Sequence, residues 1–240
     1  MVRPPRVHRT TKQPSFDRRG RSSVRLTQTL PALAGYDVEF GRERWQKPFE
    51  FFNDPEELAY LRWRKTQAAI SLEGQIVGAL EFVEFDAGLL SDWEFFDAMD
   101  CESSEMMSLA SVLLAEWRDV SQRVLAYGRI LEISWVWVEP GHPRPGIWIP
   151  VLEALIARVE PSLAVIVAKA FPLEYENGQH KEATAAFGRR RRAMTRYYSG
   201  RLGLQVLPGA PGLDGWMWRP GRRLASLIPR PRFRKGQYRP

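Results

Sequence analysis

A single cysteine, Cys101, in 240 residues has no partner for an intrachain disulfide and offers no cysteine-ligated zinc site. This points to a reducing cytoplasm rather than an exported chain. Histidine is almost as scarce. His8, His142 and His180 stand far apart, and no metal-ligand spacing joins them. With no histidine spaced to serve a serine, nothing suggests nucleophilic catalysis. No run of about 18 apolar residues is present to cross a bilayer, and the N-terminal MVRPPRVHRTTKQPSFDRRGR lacks the apolar stretch of a secretory signal. A soluble chain is expected. What remains is ordinary for a globular protein: 44% hydrophobic and 26% charged residues, in a length that suits one large domain or two small ones.

The net charge of +7 is unevenly spread. Residues 1–26 hold eight Lys/Arg against Asp17 alone, and residues 219–240 hold eight more with no acid. Both ends are rich in proline, and neither has apolar periodicity. They read as basic arms, over 1–23 and 220–240, flanking one domain over 24–219. Such arms contact nucleic acid nonspecifically by counterion release, or simply stay solvated. Without them the middle of the chain is acidic, near −8.

Within the middle, NDPEELAYLRWRK predicts a helix over about 54–65, with Asp54 as N-cap, Pro55 at the first helical position and acids in the first turn. ISLEGQIVGALEF predicts a hairpin about Glu73-Gly74. Met106, Leu109, Ala110, Leu113, Leu114 and Trp117 have helical spacing, with Ser103 or Ser104 as cap. RILEISWVWVEP is β-branched and aromatic, apolar on both faces, and reads as a central strand. After a proline-broken loop, Val151, Leu152, Leu155, Ile156 and Val159 make a helical stripe, and SLAVIVAKA follows as a buried strand. The two strands of this strand-helix-strand unit are expected to be parallel. A basic helix over about 181–198, ended by Gly200, leads to LGLQVLP and GWMWR.

This order resembles the GNAT superfamily of acyl-coenzyme A dependent N-acetyltransferases, over roughly residues 24–219. The hairpin ISLEGQIVGALEF is similar to that family's second and third strands. VWVEPGHPRPGIWIPVLEALI is similar to its fourth strand, pyrophosphate loop and following helix. AMTRYYSGRLGLQVLPG is similar to its late helix and strand. The resemblance implies an α+β fold: a mixed, mostly antiparallel central sheet flanked by helices, here with a helical insertion between the third and fourth strands. It also implies acetyl-CoA as co-substrate and an amine, small or on a protein, as acceptor. In the family the fourth and fifth strands separate, freeing backbone groups to pair with pantetheine; here these strands are 130–138 and 163–169.

At the residue level, the resemblance assigns Glu132 as base and Tyr198 as acid, with Tyr197 second. It assigns Trp137, Val138, Arg144, Gly146, Ile147 and Trp148 to coenzyme binding. A helix N-terminus offers free N–H groups and the positive end of a dipole to a pyrophosphate, and glycine lets the backbone approach it. Pro143 and Pro145 contribute no N–H, Trp148 stands where the family has a small residue, and Arg144 is placed to pair with a phosphate directly. Structural alternatives stand beside these roles. Glu132 also suits a salt-bridged strand glutamate and Tyr198 aromatic packing under a helix end. The arginines 189–192 suit a solvated face as well as a phosphate or nucleic-acid contact. Asp100, Glu102 and Glu105 suit a helix start as well as an entrance for an amine. The competing functional reading is a GNAT-like binding module without coenzyme, whose basic arms hold nucleic acid or a partner protein.

Overall fold

The computed structural model describes residues 24–28, 30–46, 62–86, 90–102, 104–116, 128–171, 184–207 and 215–221. Four antiparallel strands open the chain: β1 (Val24–Gln28), β2 (Tyr36–Arg42), β3 (Arg62–Leu72) and β4 (Gln75–Asp86). The β3–β4 hairpin closes through Glu73 and Gly74, both at positive φ (52° and 78°), the backbone that a two-residue turn needs to match strand twist. Two helices follow, α1 (Asp92–Glu102) and α2 (Ser104–Glu116). Next come β5 (Arg129–Val138), α3 (Trp148–Val159), β6 (Leu163–Lys169), α4 (Ala185–Leu202), β7 (Gln205–Val206) and β8 (Trp216–Pro220).

The strands form one eight-stranded sheet in the order β1-β2-β3-β4-β5-β6-β8-β7. Only β5 and β6 are parallel, joined through α3 as a crossover requires. This is the mixed, mostly antiparallel sheet with flanking helices that the resemblance implies, and α1–α2 are the insertion before the fourth of its strands.

Each face of the sheet is buried by its own helices. Alternation along the strands sends Val38, Ile70, Leu80, Phe82, Leu131 and Ile133 toward α3 and α4, where they meet Val151, Leu152 and Leu155. Val83, Phe85, Ile130 and Val165 point the other way, against Phe95, Met99, Leu109 and Leu113 of α1 and α2.

Three local expectations are corrected. Residues 62–65 belong to β3, where Trp63 pairs with Phe85 and Lys65 with Val83; cross-strand packing overrides the helical propensity there, and residues 47–61 lie outside the described part. The insertion is two helices rather than one. The earlier begins at a reciprocal cap in which Ser91 N–H and Oγ–H both donate to Glu94 Oε2 (2.7 and 2.6 Å). The basic helix starts later, capped by Thr184 Oγ1 accepting from Phe187 N–H at 3.2 Å. It runs through Gly200 and stops at Gly203, which takes up the left-handed conformation (φ 68°) and donates to Ser199 O. The chain remains on the sheet as far as Gly221, whose N–H donates to Ala164 O at 2.7 Å. The rest of both basic arms lies outside the described residues.

Two residues fix how β5 meets its neighbours. Gly128, at φ 154°, enters β5 so close to the Ser162 carbonyl that a Cβ would collide with it, which draws the two parallel strands together at their N-terminal ends. Trp148, at the first position of α3, is 4% exposed and packs in the core of the α3–α4 face. Its indole is turned inward rather than left in the loop. Gly128→Ala should therefore destabilise the fold by about 1–3 kcal/mol, measured by denaturant unfolding; an unchanged midpoint would show that the strands tolerate separation there. Trp148→Ala should cost about 3–5 kcal/mol, the loss for a large aromatic core residue, and calorimetric melting would detect it.

Candidate active site

The parallel strands β5 and β6 pair only from Arg129↔Leu163 to Ile133↔Ala168. Beyond that point they part. On the β4 side, Glu81 faces Trp135 and the next residue, Phe82, faces Ile133, so Ser134 is an extra residue in β5. A bulge of this kind bends its strand and increases the local twist. β6 itself runs only one residue further, to Lys169, which pairs with Trp216, and Ala170 N–H donates to Gly215 O at 2.8 Å. Residues 134–138 of β5 consequently have no strand on the β6 side, among the described residues, while they keep β4 on the other. The separation implied by the resemblance is present, and the sequence-predicted Trp137 and Val138 lie on it.

The exposed edge leads into the loop before α3. Glu139 N–H donates to Val77 O (2.9 Å) and His142 N–H to Glu139 O (3.0 Å), closing the first turn. His142 Nδ1 accepts Arg144 N–H at 3.1 Å, and its Nε2 lies 3.5 Å from Tyr36 Oη on β2. The histidine thereby bridges the loop and the sheet. Among the described residues no group of three or more His, Cys, Asp or Glu converges as a metal site would require. Ile147 and Ile149 N–H donate to Arg144 O and Gly146 O (3.2 and 3.1 Å). The amides of Gly146 and Trp148 have no acceptor among the described residues, as expected for the first turn of a helix. Arg144 is exposed beside them, and Ile147 is buried against the sheet, its side chain reaching Gly78 on β4.

Gly146 is where a side chain from elsewhere approaches the loop. A Cβ there would stand 3.0 Å from Tyr197 Oη, which places that hydroxyl at the mouth of α3. The Tyr197 ring lies 5.9 Å from Trp148, and Tyr197 is exposed. Tyr198, the expected acid, is 8% exposed and edge-on to Trp148 at 6.0 Å. Burial, reinforced by neighbouring Tyr197, pushes its hydroxyl up to about 12. Tyr197 is raised as well, by burial, with Arg201 opposing.

Glu132 is 5% exposed and pairs with Val83 and Val167, one residue before the strands part. Alternation puts it on the α1–α2 side of the sheet with Ile130. Tyr198 belongs to the α3–α4 side. The two expected catalytic residues therefore do not share a face of the sheet. On the Glu132 side stands a second carboxylate that sequence reading passed over, Glu81 of β4. It accepts from Gln67 Nε2 at 2.7 Å and lies 3.9 Å from Lys65 Nζ. Its signal was present, because a glutamate inside an otherwise apolar strand must find partners. Tyr197 gave no signal that distinguished it from Tyr198, since which of two adjacent residues faces a loop depends on how the helix is rotated. The side chains of Cys101, Glu102 and Glu105 lie outside the described part.

Neither a protein-family profile nor a curated protein sequence matches the chain. Among solved structures, the apo form of a mutant agmatine N-acetyltransferase is similar at 14% identity and a TM-score of 0.34, over 64% of this chain and 75% of that one.

Proposed function

We propose that this chain is an acyl-CoA dependent N-acyltransferase that moves an acetyl or other acyl group to an amine by direct attack. The observation that supports this most is the parting of β5 from β6 beside the N-terminus of α3. It combines a free strand edge for an amide-bearing arm with a helix start for a diphosphate. The fit was tested at the loop. Gly146 and Trp148 present unused amides, the indole of Trp148 is buried in the core instead of filling the loop, and Arg144, with the Tyr197 hydroxyl, adds side-chain donors. These donors offset the two N–H groups lost at Pro143 and Pro145.

Bound acyl-CoA supplies the thioester, whose carbonyl carbon is attacked as its C–S bond breaks. The chain positions and moves protons. In this reading the Glu132 carboxylate accepts a proton from the attacking amine, and the buried Tyr198 hydroxyl, protonated at neutral pH, donates one to the departing thiolate. The opposite placement of the two residues suits a donor lying in the gap and an acceptor arriving from the α1–α2 side. The stretch 66–117, which includes α1 and α2, has no basic residue, which favours a cationic amine beside it.

A second reading, a GNAT-like binding module, is favoured by Pro143 and Pro145 in the loop. Calorimetric titration with acetyl-CoA separates the two: micromolar binding supports the transferase, and no binding in the folded protein sinks it. Tyr197→Phe should weaken acetyl-CoA about 10–100-fold, the usual loss for one hydrogen bond to a charged group. Unchanged affinity would remove Tyr197 from the site. Glu132→Gln should lower kcat about 10²–10⁴-fold while leaving acetyl-CoA affinity as it was. A parallel loss of affinity would reassign Glu132 to structure.

A further inference from the structure

At the end of the sheet remote from the loop before α3, the carboxylate of Glu84 on β4 is 1% exposed and surrounded by arginines from three strands. Arg64 grips it with Nε and Nη2 (2.9 and 2.7 Å), Arg42 Nη2 donates at 2.7 Å, and Arg129 Nη1 at 3.3 Å. Four bonds fill the acceptor capacity of one carboxylate. Beside it, Arg62 Nη2 pairs with Asp86 Oδ2 at 2.7 Å, and Arg129 Nε stands 3.8 Å from the same oxygen. Four guanidinium groups thus meet two carboxylates.

No further carboxylate comes within ion-pair reach of these arginines among the described residues. Among the described residues the other compensation is the indole of Trp45, whose ring centre lies 4.0, 5.0 and 5.5 Å from the guanidinium carbons of Arg64, Arg129 and Arg62. An indole orients cations but cannot neutralise them. Alternation puts Thr66 on the same face, paired across the strands with Arg42. It is 3% exposed, and its Oγ1 has no hydrogen-bond partner. Arg42, Arg62 and Arg129 keep part of their heads in solvent, at 35%, 47% and 28% exposure. Most of their donors are unused, because each guanidinium carries five. Burial outweighs the arginines at Glu84 and lifts its carboxyl above the ordinary range.

The geometry points to a second binding site on this protein, for a small phosphate-type dianion, formed by Arg42, Arg129 and Arg62 over Trp45. A phosphate matches the fork of a guanidinium with two oxygens and supplies the two negative charges that the cluster lacks. The site is distinct from the coenzyme loop, which follows Val138 at the opposite end of β5, about 30 Å away at the rise of a strand; Glu132, only three residues from Arg129, points to the other face of the sheet. It stands or falls independently of the acyl-transfer activity.

The test is thermal unfolding of the full chain in rising inorganic phosphate, with ionic strength held constant by chloride. A saturable rise is expected, roughly 3–6 °C at ten times the dissociation constant. Arg42→Gln and Arg129→Gln should each weaken the effect at least tenfold. A phosphate-dependent change in tryptophan emission should be present in the natural chain and absent in Trp45→Phe, a readout that survives if an arginine variant folds poorly. A rise that is linear and equalled by sulfate, which reflects general exclusion of such salts from protein surface, overturns the proposal. So does a saturable rise that both arginine variants retain in full.

Discussion

A parallel strand pair that stays hydrogen-bonded along its whole length leaves nothing for a ligand to pair with. In this protein one extra residue, Ser134, prevents that outcome. It bends β5 after Ile133, while β6 is held toward β8 through Lys169 and Ala170. The pair is tight at its start, where Gly128 lets the backbone touch the Ser162 carbonyl, and open at its end. Glu132 stands just before the opening, the free edge of β5 runs through it, and the loop to α3 lies beyond it. Each of these positions depends on where pairing stops.

The same sheet separates charge. The helix α4 carries six arginines and no acid within Ala185–Leu202, whereas the stretch that includes α1 and α2 has no base from Thr66 to Trp117. The interior polar groups follow a stricter rule, since a carboxylate removed from water must be paired. Glu84 and Glu81 obey it with partners from adjacent strands.

Much of the architecture was legible before any coordinates. The hairpin at Glu73-Gly74, the central strand ending near Pro140, the apolar stripe of α3 and the buried β6 all carry patterns of period 2 or 3.6, or turn chemistry with few alternatives. The errors fell where tertiary contact overrides local preference. The segment 62–65 has the composition of a helix end, yet it pairs with β4. Gly200 is a plausible helix stop, yet the left-handed residue is Gly203, three positions on. The start of α1 at Ser91 and Glu94 carries a capping box in the sequence itself. At the site, sequence similarity suggested Glu132 and the tyrosine pair, but it left Trp148 as an obstacle in the loop; the rotation of α3 turns that indole into the core.

The sequence by itself determined the number and kind of most elements, the parallel β5–α3–β6 unit and the charge carried by each segment, because these depend on residues near one another in the chain. Tertiary structure alone decided that Glu132 and Tyr198 lie on opposite faces, that Tyr197 rather than Tyr198 reaches Gly146, and that arginines 42, 62, 64 and 129 gather around Glu84 and Asp86. Those outcomes are set by strand register and helix rotation. Register in turn is fixed by packing across a sheet between residues up to tens of positions apart, which no local pattern encodes.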